Sequence, residues 1–404
     1  MNISFDNTEL AFAYKSDKEL KKAKFLFSSM GIDWLVKLGT RITPWAIKVG
    51  LPVNGIIRKT MFSQFVGGES LEQTKSVVNK LSEYGVQVIL DYGVEAKEGE
   101  ENFEHAAKEF IRVIDYAATQ PTINFMSIKL TGFARFELLE KLNKSSNIES
   151  AIAGEINIDI LNNDEKQEWH RVVSRLTHIC EAAQKNNIGV LVDAEETWIQ
   201  HPVDAITMQM MEKYNRGRMI VYNTIQLYRK DRLQFLKDSV ESARRKNFMW
   251  GAKLVRGAYM EKERKRAAEK NYSSPIQPDK QTTDKDYNAA IEFCIQHLND
   301  LQFFVASHNE YSNMYATQLL QENNLSFNHP HIHFSQLFGM SDNISFNLAK
   351  AACSVSKLLP FGPLKDVIPY LMRRAQENSS VSGQTGRELQ LIKKELKRRS
   401  ENNK

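Results

Sequence analysis

The feature that most constrains the fold is a regular alternation of short apolar runs with longer amphipathic segments, which begins near residue 86. The longer segments, such as ENFEHAAKEFIRVIDYAAT, repeat their apolar residues at the helical period. The short runs are rich in β-branched residues and indicate buried strands. The eight runs are VQVILDYG, FMSIKLTGF, NIGVLVDAEE, MIVYNTIQLY, FMWGAKLVRGAY, LQFFVASHNE, HIHFSQLFGM and SVSKLLPFGP.

Eight strands that alternate with helices predict an α/β fold of the TIM-like (βα)8 barrel type. The alternative is an open, doubly wound sheet. The sequence has no GxGxxG that opens a helix after a strand, and it has no P-loop. We therefore favour the barrel over an open nucleotide-binding sheet.

The segments that flank the barrel have helical sequence patterns and no predicted strands. Residues 1–84 predict a helical N-terminal arm, because DKELKKAKFLFSSM and SLEQTKSVVNKLSEYG have helical spacing around a segment broken by Pro44, Gly50 and Pro52. The barrel is expected over residues 85–380. Residues 381–404 predict a basic helical tail, either solvated or in weak contact with an anionic membrane surface.

Composition excludes several classes of protein. The net charge of +5 over 404 residues is too small to predict a nucleic-acid partner. The three cysteines are far apart and form no CxxC, so a reducing compartment and no disulfide framework are expected. No signal-peptide core and no apolar run of membrane-spanning length is found, so we expect a cytoplasmic protein.

Polar residues stand where the predicted strands end. In a barrel, the carboxyl ends of the strands carry the chemistry. One or two such residues could form structural ion pairs, but seven strands that end this way favour a ligand site. These residues are Asp91, Lys129, Asp193 with Glu195 and Glu196, Gln226, Lys253 with Arg256, His308 with Asn309, and Gln336.

The helix after the eighth strand carries a polar face. Asp366 is its expected N-cap, and Pro369 is expected in its first turn. Tyr370, Arg373, Arg374 and Glu377 follow at helical spacing and share one face. Two guanidinium groups on one face can hold a carboxylate or a phosphate. A solvated face with an internal Arg–Glu pair is the alternative, and the position after the last strand favours the anion site.

Lys129 allows three interpretations. It could be a Schiff-base nucleophile, as in barrel aldolases, or a charge that orients a substrate and tunes a cofactor. It could also pair structurally with Asp193 or Asp91. On the fifth strand, Arg256 and Gly257 follow Lys253 and could approach a phosphate.

Three alternating histidines, His329, His331 and His333, resemble a metal-binding pattern. They lie at the start of the seventh strand, which is the end of the barrel opposite the chemistry. No HExxH motif or cysteine pair supports a metal, so no metal site is predicted.

Six segments together resemble the proline dehydrogenase family of flavoenzymes. They are SIKLTGF, VDAEET, NTIQLYRKD, KLVRGAYMEKER, ASHNE and LPFGPLKDVIPYLMRRAQENSSV, and they occur in the family's order over roughly residues 85 to 380. The resemblance is to the short, monofunctional form. It implies a distorted (βα)8 barrel with FAD at its C-terminal face.

The resemblance also implies roles for individual residues. Lys129, Asp193 and Lys253 would be catalytic. Substrate contacts would come from Lys129, Leu358, Tyr370, and the carboxylate clamp Arg373 and Arg374. FAD would be held by Asp193, Gln226, Lys253, Val255, Arg256, Gly257, Lys280, Ser307, His308, Arg374 and Glu377.

Two positions depart from the family pattern. Lys253 stands where many bacterial relatives have an arginine near flavin N5. Lysine keeps the positive charge but lacks the planar guanidinium group of arginine. Leu358 stands where the family often has a tyrosine that helps to discriminate against 4-hydroxyproline.

The activity implied by the resemblance is oxidation of L-proline to Δ1-pyrroline-5-carboxylate. A hydride would pass from C5 to flavin N5, and the electrons would pass to a quinone, with peripheral contact at the inner membrane. A hydroxyproline dehydrogenase is the alternative within the same chemistry. A Schiff-base aldolase that uses Lys129 is the alternative from another class.

Overall fold

The computed structural model describes residues 3–32, 54–93, 98–380 and 384–402. Its centre is a closed barrel of eight parallel strands in chain order. Every predicted strand is confirmed. The strands are β1 Gln87–Tyr92, β2 Ile123–Ile128, β3 Gly189–Val192, β4 Val221–Gln226, β5 Trp250–Val255, β6 Leu301–Ala306, β7 Ile332–Leu337 and β8 Val355–Phe361.

Helices surround these strands in the sequence order that was predicted. In the N-terminal arm they are α1 Thr8–Phe12, α2 Asp17–Met30, α3 Asn54–Ile57, a π-helical turn Arg58–Phe62, α4 Ser63–Phe65 and α5 Leu71–Ser82. Later helices are α6 Glu100–Ala118, α7 Phe136–Lys144, α8 Ile148–Ala153, α9 Asn163–Asn186, α10 Thr197–Tyr214, α11 Arg232–Arg245, α12 Met260–Lys270, α13 Lys280–Gln296, α14 Glu310–Glu322, α15 Asp342–Lys350, α16 Leu364–Ser380 and α17 Gln384–Asn402. A 3-10 turn, Leu130–Gly132, follows β2. Among the described residues, no helix combines the length and apolar character that a bilayer span needs.

Capping residues set several of these helix boundaries. The Ser16 hydroxyl accepts from the N–H of Glu19 at 3.3 Å, and the Glu19 carboxylate accepts from the N–H of Ser16 at 2.7 Å, so α2 starts with a capping box. Asn162 and Glu165 start α9 in the same way. That helix ends at Asn187, which has a left-handed φ of 56°. Asparagine adopts this conformation at lower cost than most other residues.

The chain divides into two compact units, residues 96–335 and residues 1–95 with 336–404. In the first unit, aromatic rings fill the inward face of the strands. Phe125 lies edge-on to Phe304 at 4.8 Å between ring centroids, and Tyr222 lies edge-on to Phe304 at 5.5 Å. Gly189 and Gly251 make room for these rings, since a Cβ on Gly189 would lie 2.3 Å from Phe125. Large residues and glycines on neighbouring strands thus fill the interior together.

The second unit has its own apolar core. It joins α1, α2, the π-helical turn, α16 and α17, with Phe12, Phe27, Leu371 and Ile392 almost completely buried. The C-terminal helix was expected to be solvated or in contact with a membrane. Instead, one of its faces packs against the N-terminal helices, because its apolar residues recur at the helical period.

Candidate active site

A buried ion pair lies inside the first unit, between Asp193, which follows β3, and Lys253 in β5. The Lys253 ammonium donates to the Asp193 carboxylate at 2.5 Å, and the Ser127 hydroxyl donates to the same oxygen at 2.7 Å. Burial alone would raise the pKa of Asp193, but the positive charges of Lys253 and Lys129 lower it below the usual range. Asp193 is therefore an anion held between two cationic side chains.

Lys129 follows β2 directly, although the predicted apolar run FMSIKLTGF extends beyond it. The strand ends at Ile128, since the chain then turns into the short 3-10 helix. Lys129 acts electrostatically on Asp193 and also on Glu195. This interaction agrees with the third interpretation, a structural pairing with Asp193, and the other two interpretations stay predictions.

Glu195 is a buried carboxyl to which the sequence analysis gave no role. It is 6% exposed, and the Thr131 hydroxyl donates to its two oxygens at 2.7 and 2.9 Å. Burial raises the pKa of Glu195 to about 7, although Lys129 opposes the shift. Glu195 can therefore exchange a proton near neutral pH, as general acids and bases do.

Gln226, at the end of β4, is fully engaged with neighbouring protein groups. Its amide N–H groups donate to the Glu195 carbonyl at 2.7 Å and to the Tyr228 hydroxyl at 2.9 Å. Its amide oxygen accepts from Arg229 at 3.2 Å. These bonds fix the side chain beside the Glu195 segment, and its predicted contact with the isoalloxazine stays a prediction.

Arg256, one residue beyond β5, is held by four side chains, of which only Ser307 was among the predicted site residues. Its guanidinium donates to Ser307 and to Ser312, each at 2.7 Å, and lies 3.7 Å from the Tyr287 ring centroid. Asp284 forms an ion pair with it at 3.2 Å. These partners come from the residue after β6 and from α13 and α14, and no local sequence pattern links them to the strand.

Further predicted cofactor residues lie beside Arg256 in the sequence or near the ends of neighbouring elements. Val255 ends β5, and Gly257 follows with a φ of +85° that glycine adopts without strain. Ser307 and His308 follow β6. Lys280 starts α13 and forms an ion pair with Asp284, the residue that also pairs with Arg256.

In the second unit, α16 carries the predicted substrate clamp. Tyr370 and Arg374 are each 8% exposed, and the Arg374 guanidinium lies 5.1 Å from the Tyr370 ring centroid. Arg373 is half-buried on the same helix. The helical spacing of these three residues is confirmed. The side chain of Glu377 lies outside the described residues.

The start of α16 differs from the expectation. The helix begins at Leu364, so Asp366 lies inside the first turn rather than at the N-cap, and Pro369 lies in the second turn. The Asp366 N–H donates to the Pro363 carbonyl at 2.8 Å. Because Pro363 has the fixed φ that helix entry requires, it sets the boundary earlier than the capping preference suggested.

Three further strand residues belong to the second unit. Leu358 is 7% exposed in β8, and its carbonyl accepts from the Phe338 N–H at 2.9 Å. Gln336 accepts from the Ser345 hydroxyl at 2.7 Å, and Asp91 is half-buried in β1.

The three alternating histidines form no metal site. His333 stacks on Phe304 at 4.7 Å, and burial lowers its pKa to about 4, so it is a neutral part of the core. His331 has its Nδ1 at 2.7 Å from the Leu298 carbonyl. Within the described part of the chain, no group of three His, Cys, Asp or Glu side chains is arranged to hold a metal.

Comparison with known proteins identifies the family. A family model described as proline dehydrogenase matches residues 74–387. The chain belongs to the proline dehydrogenase family. Two curated relatives in the family cover nearly all of the chain: proline dehydrogenase 1, mitochondrial, from Dictyostelium discoideum and hydroxyproline dehydrogenase from Xenopus laevis. Each is 32% identical; the first match covers 98% of this chain and 75% of that protein, and the second covers 96% and 88%.

A solved structure shares the barrel of this proline dehydrogenase family member. It is proline utilization A from Bdellovibrio bacteriovorus, inactivated by N-propargylglycine, with a TM-score of 0.70 at 18% identity. The match covers 92% of this chain and 38% of that one, so this chain spans well under half the length of that protein. At this identity the likeness shows the fold alone.

Proposed function

We propose that this protein is an FAD-dependent enzyme that oxidises L-proline to Δ1-pyrroline-5-carboxylate and passes the electrons to a quinone. The observation that carries the proposal is the family match over residues 74–387. Every residue that the resemblance assigns to substrate or cofactor lies within that range. The names of the relatives support proline or hydroxyproline as the substrate class.

The surroundings of Arg256 fit the diphosphate of FAD. Among the described residues, its Nε has no hydrogen-bond partner, while its other nitrogens are fixed by serine hydroxyls and Asp284. A Cβ on the neighbouring Gly257 would meet nothing within 4 Å, so backbone and ligand could approach each other closely. A fixed cation beside open backbone is a donor set that suits phosphate oxygens.

The chain's own residues would bind and orient the substrate. Arg373 and Arg374 would hold the proline carboxylate through paired N–H donors, with Tyr370 beside them and Glu377 towards the FAD ribose. Lys129 and Lys253 would place positive charge near the amine. Because a neighbouring cation disfavours a second ammonium, they would favour the neutral amine that the reaction needs. When bound, FAD supplies the acceptor for the hydride that leaves C5 of proline.

The first experiment is to record the visible absorbance of the purified protein without oxygen, before and after L-proline is added. A flavin band that bleaches on addition would support the cofactor, the substrate and the direction of electron flow together. A protein with no flavin band, even after incubation with FAD, would contradict the proposal.

The carboxylate clamp has its own test. Arg373→Met should raise the KM for proline by about ten- to a hundredfold, because it removes charged hydrogen bonds to the substrate. The matched control is Lys365→Met, an exposed residue on the same helix. If steady-state kinetics gave the same KM for Arg373→Met and for the control, the clamp assignment would be wrong.

Hydroxyproline oxidation is the second candidate, and Leu358 is the observation that favours it. The tyrosine that often discriminates against 4-hydroxyproline is replaced here by leucine. Comparing kcat/KM for the two imino acids, in the native enzyme and in Leu358→Tyr, separates the two activities. Borohydride trapping with a carbonyl substrate would reveal the Schiff-base role of Lys129.

A further inference from the structure

A cationic groove lies on the N-terminal helices, and none of the residues assigned above lines it. It has a volume of about 640 Å³ and lies between α2 and the π-helical turn. We call it the lysine groove and define it by Lys18, Lys21, Lys22, Phe25, Leu26 and Lys59. Its one acidic residue, Asp17, is already paired with Arg399 at 2.8 Å. The groove therefore presents four lysines and a single carboxylate, which is already paired with a base outside the groove.

Helical spacing places these groups on one face of α2. Lys18, Lys21, Lys22 and Phe25 are separated by three, four and seven residues, so they lie side by side. The opposite face of α2 is buried in the core. The exposed face is thus built with charge at one end and an aromatic ring at the other.

Exposed apolar side chains gather around the groove. Among the described residues, four large apolar side chains other than tyrosine are exposed. Phe25 lines the groove, and Ile56 lies one helical turn before the groove residue Lys59. Phe25 and Ile56 are each 67% exposed. Neighbouring apolar residues that stay in water while others pack the core mark an interaction surface.

Three other bases of the N-terminal arm are held in ion pairs. Lys15 pairs with Asp342, Lys80 with Glu19, and Arg58 with Glu69, at 2.9, 2.8 and 2.7 Å. In the described part of the chain, no groove lysine forms an ion pair. Their charges are therefore open to a ligand that is anionic and also has apolar parts.

The basic C-terminal helix is a poorer candidate for such a ligand, because most of its bases contact groups of the protein itself. Arg387 pairs with Asp6 at 2.6 Å, and Lys394 donates to the Asp6 carbonyl at 2.8 Å. Arg398 and Arg399 both pair with the buried Glu395. The structure thus favours the groove over the tail as the contact with a membrane.

We propose that the lysine groove, with Ile56, is the surface through which this protein docks on an anionic lipid bilayer. Headgroup phosphates would lie against the four lysines, and Phe25 and Ile56 would enter the boundary between headgroups and acyl chains. Its purpose, electron delivery to a membrane quinone, rests on the proposed function. The docking itself does not depend on it.

The test is co-sedimentation of the full-length protein with vesicles of phosphatidylcholine, alone or mixed in equal parts with phosphatidylglycerol. The native protein should bind the anionic vesicles, bind the neutral ones weakly, and be released by salt. Lys18→Glu, Lys21→Glu and Lys22→Glu together should weaken anionic binding by about a hundredfold, because each lysine near the surface contributes about fivefold. Phe25→Ser with Ile56→Ser should weaken it while keeping the salt dependence.

The matched control reverses two exposed tail bases, Lys393→Glu with Lys397→Glu. It should bind like the native protein, and all variants should keep the native circular dichroism spectrum. The proposal is overturned if the native protein ignores anionic vesicles, or if the tail variant loses binding and the groove variants do not. Groove variants that only turn a dimer into a monomer would also overturn it, since the groove would then be an interface between copies.

Activity measurements keep this test separate from that of the proposed function. Groove variants should oxidise proline normally with a water-soluble electron acceptor and slowly with quinone embedded in anionic vesicles. A protein that binds vesicles but never oxidises an imino acid would contradict the proposed function and leave the docking surface standing.

Discussion

At the scale of single residues, Glu195 shows how burial sets a titration. A glutamate in water is ionised above about pH 4.3, whereas burial raises the pKa of Glu195 to about 7. Between these values the folded protein holds a proton that the unfolded chain has lost. The stability that this proton contributes is complete below the unfolded pKa and is lost as the pH rises through the folded one.

Glu195→Gln should therefore flatten the pH dependence of unfolding. Glutamine keeps an acceptor for the Thr131 hydroxyl and carries no charge, so it mimics the protonated acid at every pH. Relative to this variant, the free energy of unfolding of the native protein should fall by about 3 kcal/mol at most between pH 4.5 and pH 8. Urea unfolding across that range measures the difference. Glu101→Gln, at an exposed position on α6, is the control and should follow the native curve. Parallel curves for Glu195→Gln and the native protein would show that this carboxyl does not titrate there.

The positions of single residues could be predicted from the sequence where a regular strand or helix fixes the direction of the side chain. Lys253 and Asp193 were expected at strand ends, and strand alternation points both into the barrel. Most of the partners of Arg256 were missed, because Ser312 and Tyr287 belong to helices with many equally polar neighbours. Only the packing of those helices selects the residues that meet the guanidinium.

At the scale of elements, β5 shows how a strand is shaped by the residues beside it. Gly251 was not singled out in the sequence, since a glycine within an apolar run usually weakens a strand. In the structure a Cβ there would lie 2.4 Å from the Val221 carbonyl oxygen and 2.8 Å from the Tyr222 ring. Glycine lets β4 and its inward aromatic residue approach β5.

Gly251→Ala should destabilise the protein by roughly 1–3 kcal/mol, because the clash is with backbone that cannot move without shifting the strand. Gly217→Ala is the matched control, since a Cβ there meets nothing within 4 Å. That substitution should change stability by about 0.5 kcal/mol or less. Denaturant midpoints of the two variants give the comparison. Equal midpoints would mean that β4 and β5 are not packed this closely.

At the scale of the whole molecule, the two ends of the chain stabilise each other. Arg399, near the C-terminus, donates to the carbonyls of Phe12 and Lys15 at 2.9 and 2.8 Å and pairs with Asp17 at 2.8 Å. These contacts join α17 to the α1–α2 connection. The sequence of the C-terminal segment predicts a helix with a basic face. It does not show that this face contacts residues near the start of the sequence.

Arg399→Ala should therefore loosen the N-terminal helices as well as the C-terminal one. Charged hydrogen bonds of this kind contribute about 1.5–3 kcal/mol each. The free energy of local unfolding within residues 1–95 and 336–404 should therefore fall by a few kcal/mol. Hydrogen exchange read by peptide should rise in α1, α2 and α17 and stay unchanged in β3 to β6, because stability is local where contacts are local. Lys397→Ala, at a side chain that is 77% exposed, should leave exchange unchanged throughout. If Arg399→Ala raised exchange in α17 alone, the N-terminal helices would be shown to hold their place without the C-terminal helix.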